Sequence, residues 1–389
     1  MSFEKLTAYL DSLEGEFGIP ACDCLVMRDH ETVYRHSAGY ADSARTRPVA
    51  PGDLYFIYSA SKVITCAAVM QLVEQGKLGL EDLLEQYLPE FAQMEVLEKM
   101  PEMFWRGIPE DIGKVSIRPE IRIIDLLTMT AGLSYDTGSK PIRELRESTG
   151  GRAGTREMMR AIARMPLLCK PRSRWLYSLA HDVLAAVVEV VSGKRFSDYL
   201  RTAIFEPLGI EDMSFDLPEA ETGRLSTLYT ADMVTKKIRE IEKVNTFRLT
   251  DAYESGGAGI ICSVDAYAKF ADAMACGGVG ATGRRILSPE SIDCMRRNYL
   301  TGELLEDFKR GGKRGYGYGL GVRSLIDRSE SRSPLGEFGW DGAAGAYVLL
   351  DTENRLSIFY IQHILMFPDV YFRIHPAVRD LTYEALDIG

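Results

Sequence analysis

Short apolar runs that read as strands lie at the two ends of this 389-residue chain, while the sequence between them reads mostly as helix. Near the start, residues 22–28 and 32–38 flank the turn Asp29-His30-Glu31 in the manner of a β-hairpin. Near the end, residues 346–351 and 355–362 flank Thr352-Glu353-Asn354 in the same way. Phe3, Leu6, Tyr9, Leu10 and Leu13 recur at helical spacing, and a last helix is predicted over 376–386. The middle carries helical patterns at 62–75, 123–129, 156–164, 181–192 and 196–204. Strands and helices are thus segregated rather than alternating, which predicts an α+β fold and argues against a doubly wound nucleotide-binding one. The expected architecture is a discontinuous α/β sheet lobe, 1–60 and 225–389, with a mostly helical lobe, 61–224, inserted into it. Both chain ends should share one antiparallel sheet, and the cleft between the lobes is where a site is expected.

Composition narrows the function classes. Hydrophobic residues make up 46% and charged residues 26%, the profile of a globular protein large enough for one big core or two packed lobes. A net charge of -10 would repel a phosphate backbone, and no basic stripe interleaved with aromatics overrides it, so nucleic acid is not an expected partner. The basic groups at 236–243 and 309–314 read as solvated turns. Neither a secretory leader nor an apolar run long enough to span a bilayer is apparent, so no membrane association is expected. Seven cysteines, an odd number, fit free thiols in a reducing cytoplasm. Cys22 and Cys24 have no second Cys/His cluster to complete a zinc site, HExxH spacing is lacking, and no metal or other cofactor is expected. The alternating Gly315–Gly321 run lacks the lysine and following helix of a phosphate loop and reads as a twisted strand by the cleft.

Ser59 and Lys62 stand at the start of a run that is apolar on nearly every face: Val63, Ile64, Ala67, Ala68, Val69, Leu72 and Val73. That pattern implies a buried helix with a partly desolvated lysine in its first turn. A serine near such a helix start meets outward-pointing N–H groups and a dipole that favours developing negative charge. A residue three positions on shares its face. Serine needs a base to become a nucleophile, and Ser-Lys pairs supply one where burial or neighbouring cations favour the neutral amine. Spacing alone decides little, since Ser2 and Lys5 match it equally well.

Three further segments follow in order. They are Ile123-Ile124-Asp125-Leu126-Leu127-Thr128-Met129-Thr130-Ala131-Gly132-Leu133-Ser134-Tyr135, then Trp175-Leu176-Tyr177-Ser178-Leu179-Ala180-His181-Asp182, then Phe338-Gly339-Trp340-Asp341-Gly342-Ala343-Ala344-Gly345. Together with the Ser59 segment they resemble the serine β-lactamase and penicillin-binding-protein superfamily, in its class C β-lactamase-like branch, and most of all the family VIII carboxylesterases. The resemblance spans about residues 5–385, with smaller echoes at Ser255-Gly256-Gly257-Ala258-Gly259 and Leu287-Ser288-Pro289. It implies a β-lactamase/transpeptidase-like fold, with Ser59 the acylated nucleophile, Lys62 a proton acceptor, and Tyr177 a second base that reprotonates the leaving group. It also implies an oxyanion hole from the N–H groups of Ser59 and Ala343, with Gly342 and its small neighbours compatible with close backbone approach.

Two departures from β-lactamases select the esterase branch. Trp340 stands where those enzymes have a lysine that faces the drug carboxylate, and Leu179 where they have an amide-binding asparagine. Both favour an uncharged or apolar acyl group, although Trp340 also reads as a packed core residue. Tyr135 is expected near the cleft, binding substrate or sharing the proton work. His181 reads as a satisfied helix residue rather than a triad base, and Met103, Phe104 and Trp105 as either a lid or a satellite apolar cluster. The expected partner is a small-molecule ester or amide. A D-amino-acid peptidase or amidase, an acyltransferase, a weak β-lactamase, and a catalytically silent binding protein on the same fold stay open.

Overall fold

The computed structural model describes residues 2–103, 108–109 and 111–389. Helix α1 (Glu4–Phe17) leads into strands β1 (Ala21–Arg28), β2 (Glu31–Gly39) and β3 (Leu54–Phe56), then helix α2 (Ser61–Glu74). Helices α3 (Ile123–Leu127), α4 (Thr155–Ala163) and α5 (Ala180–Ser192) follow. The chain continues through β4 (Ile261–Ser263), α6 (Val264–Ala275), α7 (Gly302–Arg310) and β5 (Tyr316–Tyr318). It ends with β6 (Arg323–Leu325), β7 (Phe338–Gly339), β8 (Tyr347–Asp351), β9 (Leu356–Ile361) and α8 (His375–Leu386).

The two chain ends meet in one seven-stranded antiparallel sheet of order β5-β6-β7-β8-β9-β1-β2. β1 joins the ends by pairing with β9 from Asp23↔Ile361 to Arg28↔Leu356. The first hairpin turn is tighter than its sequence suggests, because Asp29 and His30 both adopt positive φ (53° and 69°) and Glu31 already pairs with Arg28.

Alternation along β1 decides what each face of the sheet buries. Cys22, Cys24 and Val26 point to one side, against Leu6, Leu10 and Leu13 of α1 and Val378 and Tyr383 of α8. Leu25 and Met27 point to the other, into the larger core that includes Tyr267 and Phe270 of α6. The CxC pair is therefore two residues on one buried strand face, and burial pushes the Cys22 thiol up to about 12. All seven cysteines are free.

Helices flank this sheet and a largely helical lobe is inserted into it. β3 pairs with β4 through Leu54↔Ser263 and Phe56↔Ile261, so the chain leaves the sheet region just before Ser59 and returns beside its point of departure. The inserted lobe is not purely helical: Met94–Leu97 pairs antiparallel with Lys114–Ile117, a short ribbon with an exposed outer strand. Phe104 and Trp105 lie outside the described residues, and Met103 is exposed. Among the described residues, no helix is long and apolar enough to cross a membrane.

Candidate active site

β3 ends at Phe56 and α2 begins at Ser61, with a single 3-10 turn, Tyr58–Ala60, in between. Tyr58 sits in the left-handed region at φ 47°, a conformation that costs a non-glycine residue about 1–3 kcal/mol. Packing holds it there, for the fully buried Tyr58 ring meets Phe247 edge-on at 5.9 Å between centroids. Below this turn the start of α2 is tied to the Ser255–Gly259 loop. Ile260 N–H donates to Ser61 Oγ (3.2 Å), Thr65 Oγ donates to Gly256 O (2.7 Å), and Tyr267 Oη donates to Ala60 O (2.8 Å).

Every residue from Ser61 to Leu72 is buried, so α2 is a core helix with Lys62 fully enclosed. Lys62 Nζ donates to Ser59 Oγ at 3.2 Å and to Gly257 O at 2.7 Å. Tyr177, brought in by the segment before α5, donates to Ser59 Oγ at 2.7 Å. Its ring is held between two others: Tyr135 stacks on it at 5.4 Å and 9°, and Trp340 at 5.8 Å and 20°. Lys62 Nζ lies 4.7 Å from the centre of the Tyr177 ring, near enough to attract its π face.

Trp340 does more than wall the site. It is 7% exposed, and its Nε1–H donates to Tyr177 Oη at 3.2 Å. A cavity of about 400 Å³ is lined by Ser59, Trp175, Tyr177, Trp340, Gly342 and Ala343. A larger one, about 940 Å³, lies along Ser134, Tyr135, Trp175 and Tyr177. Trp340 thus belongs at once to the core and to the cavity wall.

The strand turn after β7 approaches the Ser59 turn closely. A Cβ on Gly342 would stand 2.2 Å from Ile57 O, which only glycine avoids. Ala343 N–H makes no hydrogen bond among the described residues, and the backbone on either side is pinned by Tyr371 Oη, which donates to Gly342 O (2.9 Å) and Ala343 O (3.2 Å). Ser59 and Ala343 both line the same cavity.

The beta-lactamase family profile matches residues 6–372. The chain belongs to the beta-lactamase family. It is 30% identical over 348 residues to protein Rv1367c of Mycobacterium tuberculosis, covering 87% of this chain and 84% of that one. It is 27% identical to esterase EstB of Burkholderia gladioli, covering 97% and 94%. Among solved structures, EstCE1, a hydrolase with promiscuous acyltransferase activity, superposes with a TM-score of 0.80 at 25% identity over 98% of both chains. The fold is the β-lactamase/transpeptidase fold, and the chain belongs with serine hydrolases that have esterase and acyltransferase relatives.

Three sequence expectations need correction. Leu179 does not reach either cavity: it is 2% exposed, its N–H bonds Ser134 O at 3.1 Å, and it enters the core at the start of α5. His181 is not a satisfied helix residue. It is fully buried with neither ring nitrogen partnered among the described residues, and burial, then Lys62, hold it well below the ordinary histidine value. Lys313 does not belong to a solvated turn, for it lines the Ser59 cavity and is ion-paired to Asp341. Tyr135 lines the larger cavity, and burial, then the charges of Tyr177 and Asp182, push its phenol well above the ordinary value.

Sequence reasoning missed His363, which accepts from Phe56 N–H on Nε2 (3.1 Å) and faces Thr227 O through Nδ1 (3.2 Å), pinning the strand that carries Ser59. It also missed Tyr371. Neither lies on a periodic pattern, so no local signal marked them. Asp29, His30 and Cys276 bring three ligand-type atoms within 4.8 Å of one another at the β1–β2 turn, but Arg355 bonds Asp29 there at 2.6 Å.

Proposed function

We propose that this protein cleaves carboxylic esters through an acyl-enzyme on Ser59, with no cofactor. The observation that carries the reading is the convergence of Tyr177 Oη at 2.7 Å and Lys62 Nζ at 3.2 Å on Ser59 Oγ, with the Trp340 indole on the far side of Tyr177. The Lys62–Tyr177 pair takes the Ser59 proton, with the Trp340 N–H bonded to Tyr177 Oη. Ser59 attacks the ester carbonyl, and the N–H groups of Ser59 and Ala343 hold the oxyanion. Tyr177 then returns the proton to the departing alcohol, and water repeats the sequence on the acyl-enzyme. The aromatic lining from Trp175, Tyr177 and Trp340 suits a short, uncharged acyl group.

The test is turnover of p-nitrophenyl acetate by the wild type and by Ser59→Ala. Turnover by the wild type alone is expected, and equal rates would end the reading. Nitrocefin turnover comparable to ester turnover would instead rank β-lactam cleavage first. Failure of a fluorophosphonate probe to label Ser59 would favour a silent binding protein. The likeness to EstCE1 supports a second reading, transfer of the acyl group to an alcohol. Ester product formed when short alcohols are added would show that branch.

A further inference from the structure

Two cavities meet at Tyr177, and their walls differ in kind. The larger, of about 940 Å³, has Glu102, Asp136, Arg174, Asp307 and Arg310 among its walls. The Ser59 cavity, of about 400 Å³, has the rings of Trp175, Phe308, Trp340 and Phe372. Trp175 and Tyr177 belong to both. In ester cleavage the leaving alcohol must stay within reach of Tyr177, which returns its proton, and the charged cleft suits an alcohol and the water that follows it. The aromatic cavity is left for the acyl chain, which loses apolar surface to water by entering it.

Most of these rings are locked in place. Trp175 meets Phe308 at 5.0 Å and 79°, Phe308 meets Trp340 at 6.5 Å and 34°, and both Phe308 and Trp340 are buried. Phe372 is different, for it is 57% exposed although it lines the cavity. It stands on the π-helical turn Val370–Ile374, next to Tyr371, whose hydroxyl pins the Gly342–Ala343 turn. π turns are rare and are found mostly at functional sites.

The ring rests on the loop that follows α7. A Cβ on Gly312 would meet Phe372 Cε1 at 2.4 Å and Cζ at 2.9 Å, and Gly312 has φ 84°, so glycine supplies both the turn and the seat for the ring. Gly312 and Phe372 also belong to the wall of a second hollow of about 450 Å³, whose other walls carry the paired charges of Arg323, Asp341 and Arg379. Phe372 therefore divides an apolar cavity from a charged one. An acyl chain that passed the ring would exchange aromatic contacts for ionic groups, which do not reward its burial.

We propose that Phe372, seated on Gly312, is a specificity-determining residue that ends the acyl pocket, so that short acyl chains are taken and longer ones stop at this ring. The inference rests on the ester-cleaving reading above. It adds which cavity receives which half of the ester.

The experiment measures kcat/KM for p-nitrophenyl acetate, butyrate, hexanoate and octanoate, which vary the acyl chain, and for methyl, butyl and hexyl acetate, which vary the alcohol. In the wild type, kcat/KM is expected to rise by roughly three- to fourfold per methylene while the chain stays inside the pocket, and then to drop. Phe372→Ala should raise the octanoate-to-butyrate ratio by about tenfold or more, Phe372→Leu should raise it less, and Phe372→Trp should lower it. The alkyl acetate series should follow none of these changes. Because the ring is exposed, Tm should hold in all three variants. A wild type that prefers octanoate, a ratio unchanged across the three variants, or a response confined to the alcohol series overturns the inference while leaving ester cleavage standing. Turnover of no ester by the wild type sinks the ester reading and this inference with it.

Discussion

The Tyr177 hydroxyl donates to Ser59 Oγ across 2.7 Å, joining two residues 118 positions apart in the chain, and the Trp340 indole N–H donates in turn to Tyr177 at 3.2 Å. Proton transfer at Ser59 therefore has one short path and a fixed donor behind it. Tyr177→Phe keeps the stacked ring but removes that path, and kcat on a p-nitrophenyl ester should fall by about 10²–10⁴ with KM little changed. Trp340→Phe keeps the stack and removes only the N–H, so its loss should be smaller, about tenfold. Rates in the opposite order would assign Trp340 the larger part.

Lys62 relates to activity and stability with opposite signs. It is fully buried among apolar residues of α2, and its two polar contacts are Ser59 Oγ and Gly257 O. Methionine fills a similar volume without the desolvation cost of an enclosed ammonium. Lys62→Met is therefore expected to lose at least about 10² in kcat while Tm holds or rises. Calorimetry beside kinetics checks it, and a large drop in Tm would mean that the ammonium chiefly holds the fold together.

Ser59 and Lys62 are legible as the head of a buried helix because α2 is apolar all round, a local pattern, but singling them out from Ser2 and Lys5 takes the ordered motifs. Tyr177 and the Trp340 segment were legible only as ordered motifs, since nothing local in Trp175-Leu176-Tyr177 tells of its approach to Ser59. The strand-rich ends reveal a shared sheet because hairpin patterns are local, and the β1–β9 pairing follows once both hairpins must bury two faces. Lys313 was misread for a definite reason. Glycines and basic neighbours mark a turn, and its partner Asp341 is 28 residues away. Leu179 failed as a contact because its orientation depends on where α5 begins, and His363 because one residue with φ 56° leaves no periodic trace.

Two glycines make opposite expectations. In Gly342→Ala the added Cβ meets Ile57 O at 2.2 Å, so the Ala343 turn must part from the backbone that carries Ser59. Tm and kcat should fall together, the latter by about 10²–10³ if an oxyanion donor is displaced. Gly15, within α1, is exposed with nothing inside 4 Å of its would-be Cβ. Gly15→Ala should stabilise by about 0.5–1 kcal/mol and leave kcat alone. A Gly342→Ala enzyme with wild-type kcat would remove Ala343 from the oxyanion site.

Acid should unfold this protein through its buried histidines. Burial holds His363 and His375 down to about 3 and His181 well below the ordinary 6.5. At His363, Nε2 already accepts from Phe56 N–H, so a proton there would have to displace that bond. A depressed folded value gives stability that is complete above 6.5 and is lost as pH falls toward 3, because the unfolded chain takes up protons that the native one refuses. Asp23 works the other way: burial raises its carboxyl to about 7 against the pull of Arg35, so its contribution is complete below about 4 and fades as pH rises through 7. The raised carboxyls of Asp125 and Glu189 work with Asp23, and the lowered one of Asp341 works with the histidines. With the uptake at the histidines dominant, stability should fall as pH drops from 6 to 4. His363→Gln, neutral throughout, should flatten that slope even where its own Tm is lower. Thermal midpoints of both proteins from pH 7.5 to 4.5 decide the matter, and parallel pH profiles would show that the histidines are not what acid attacks.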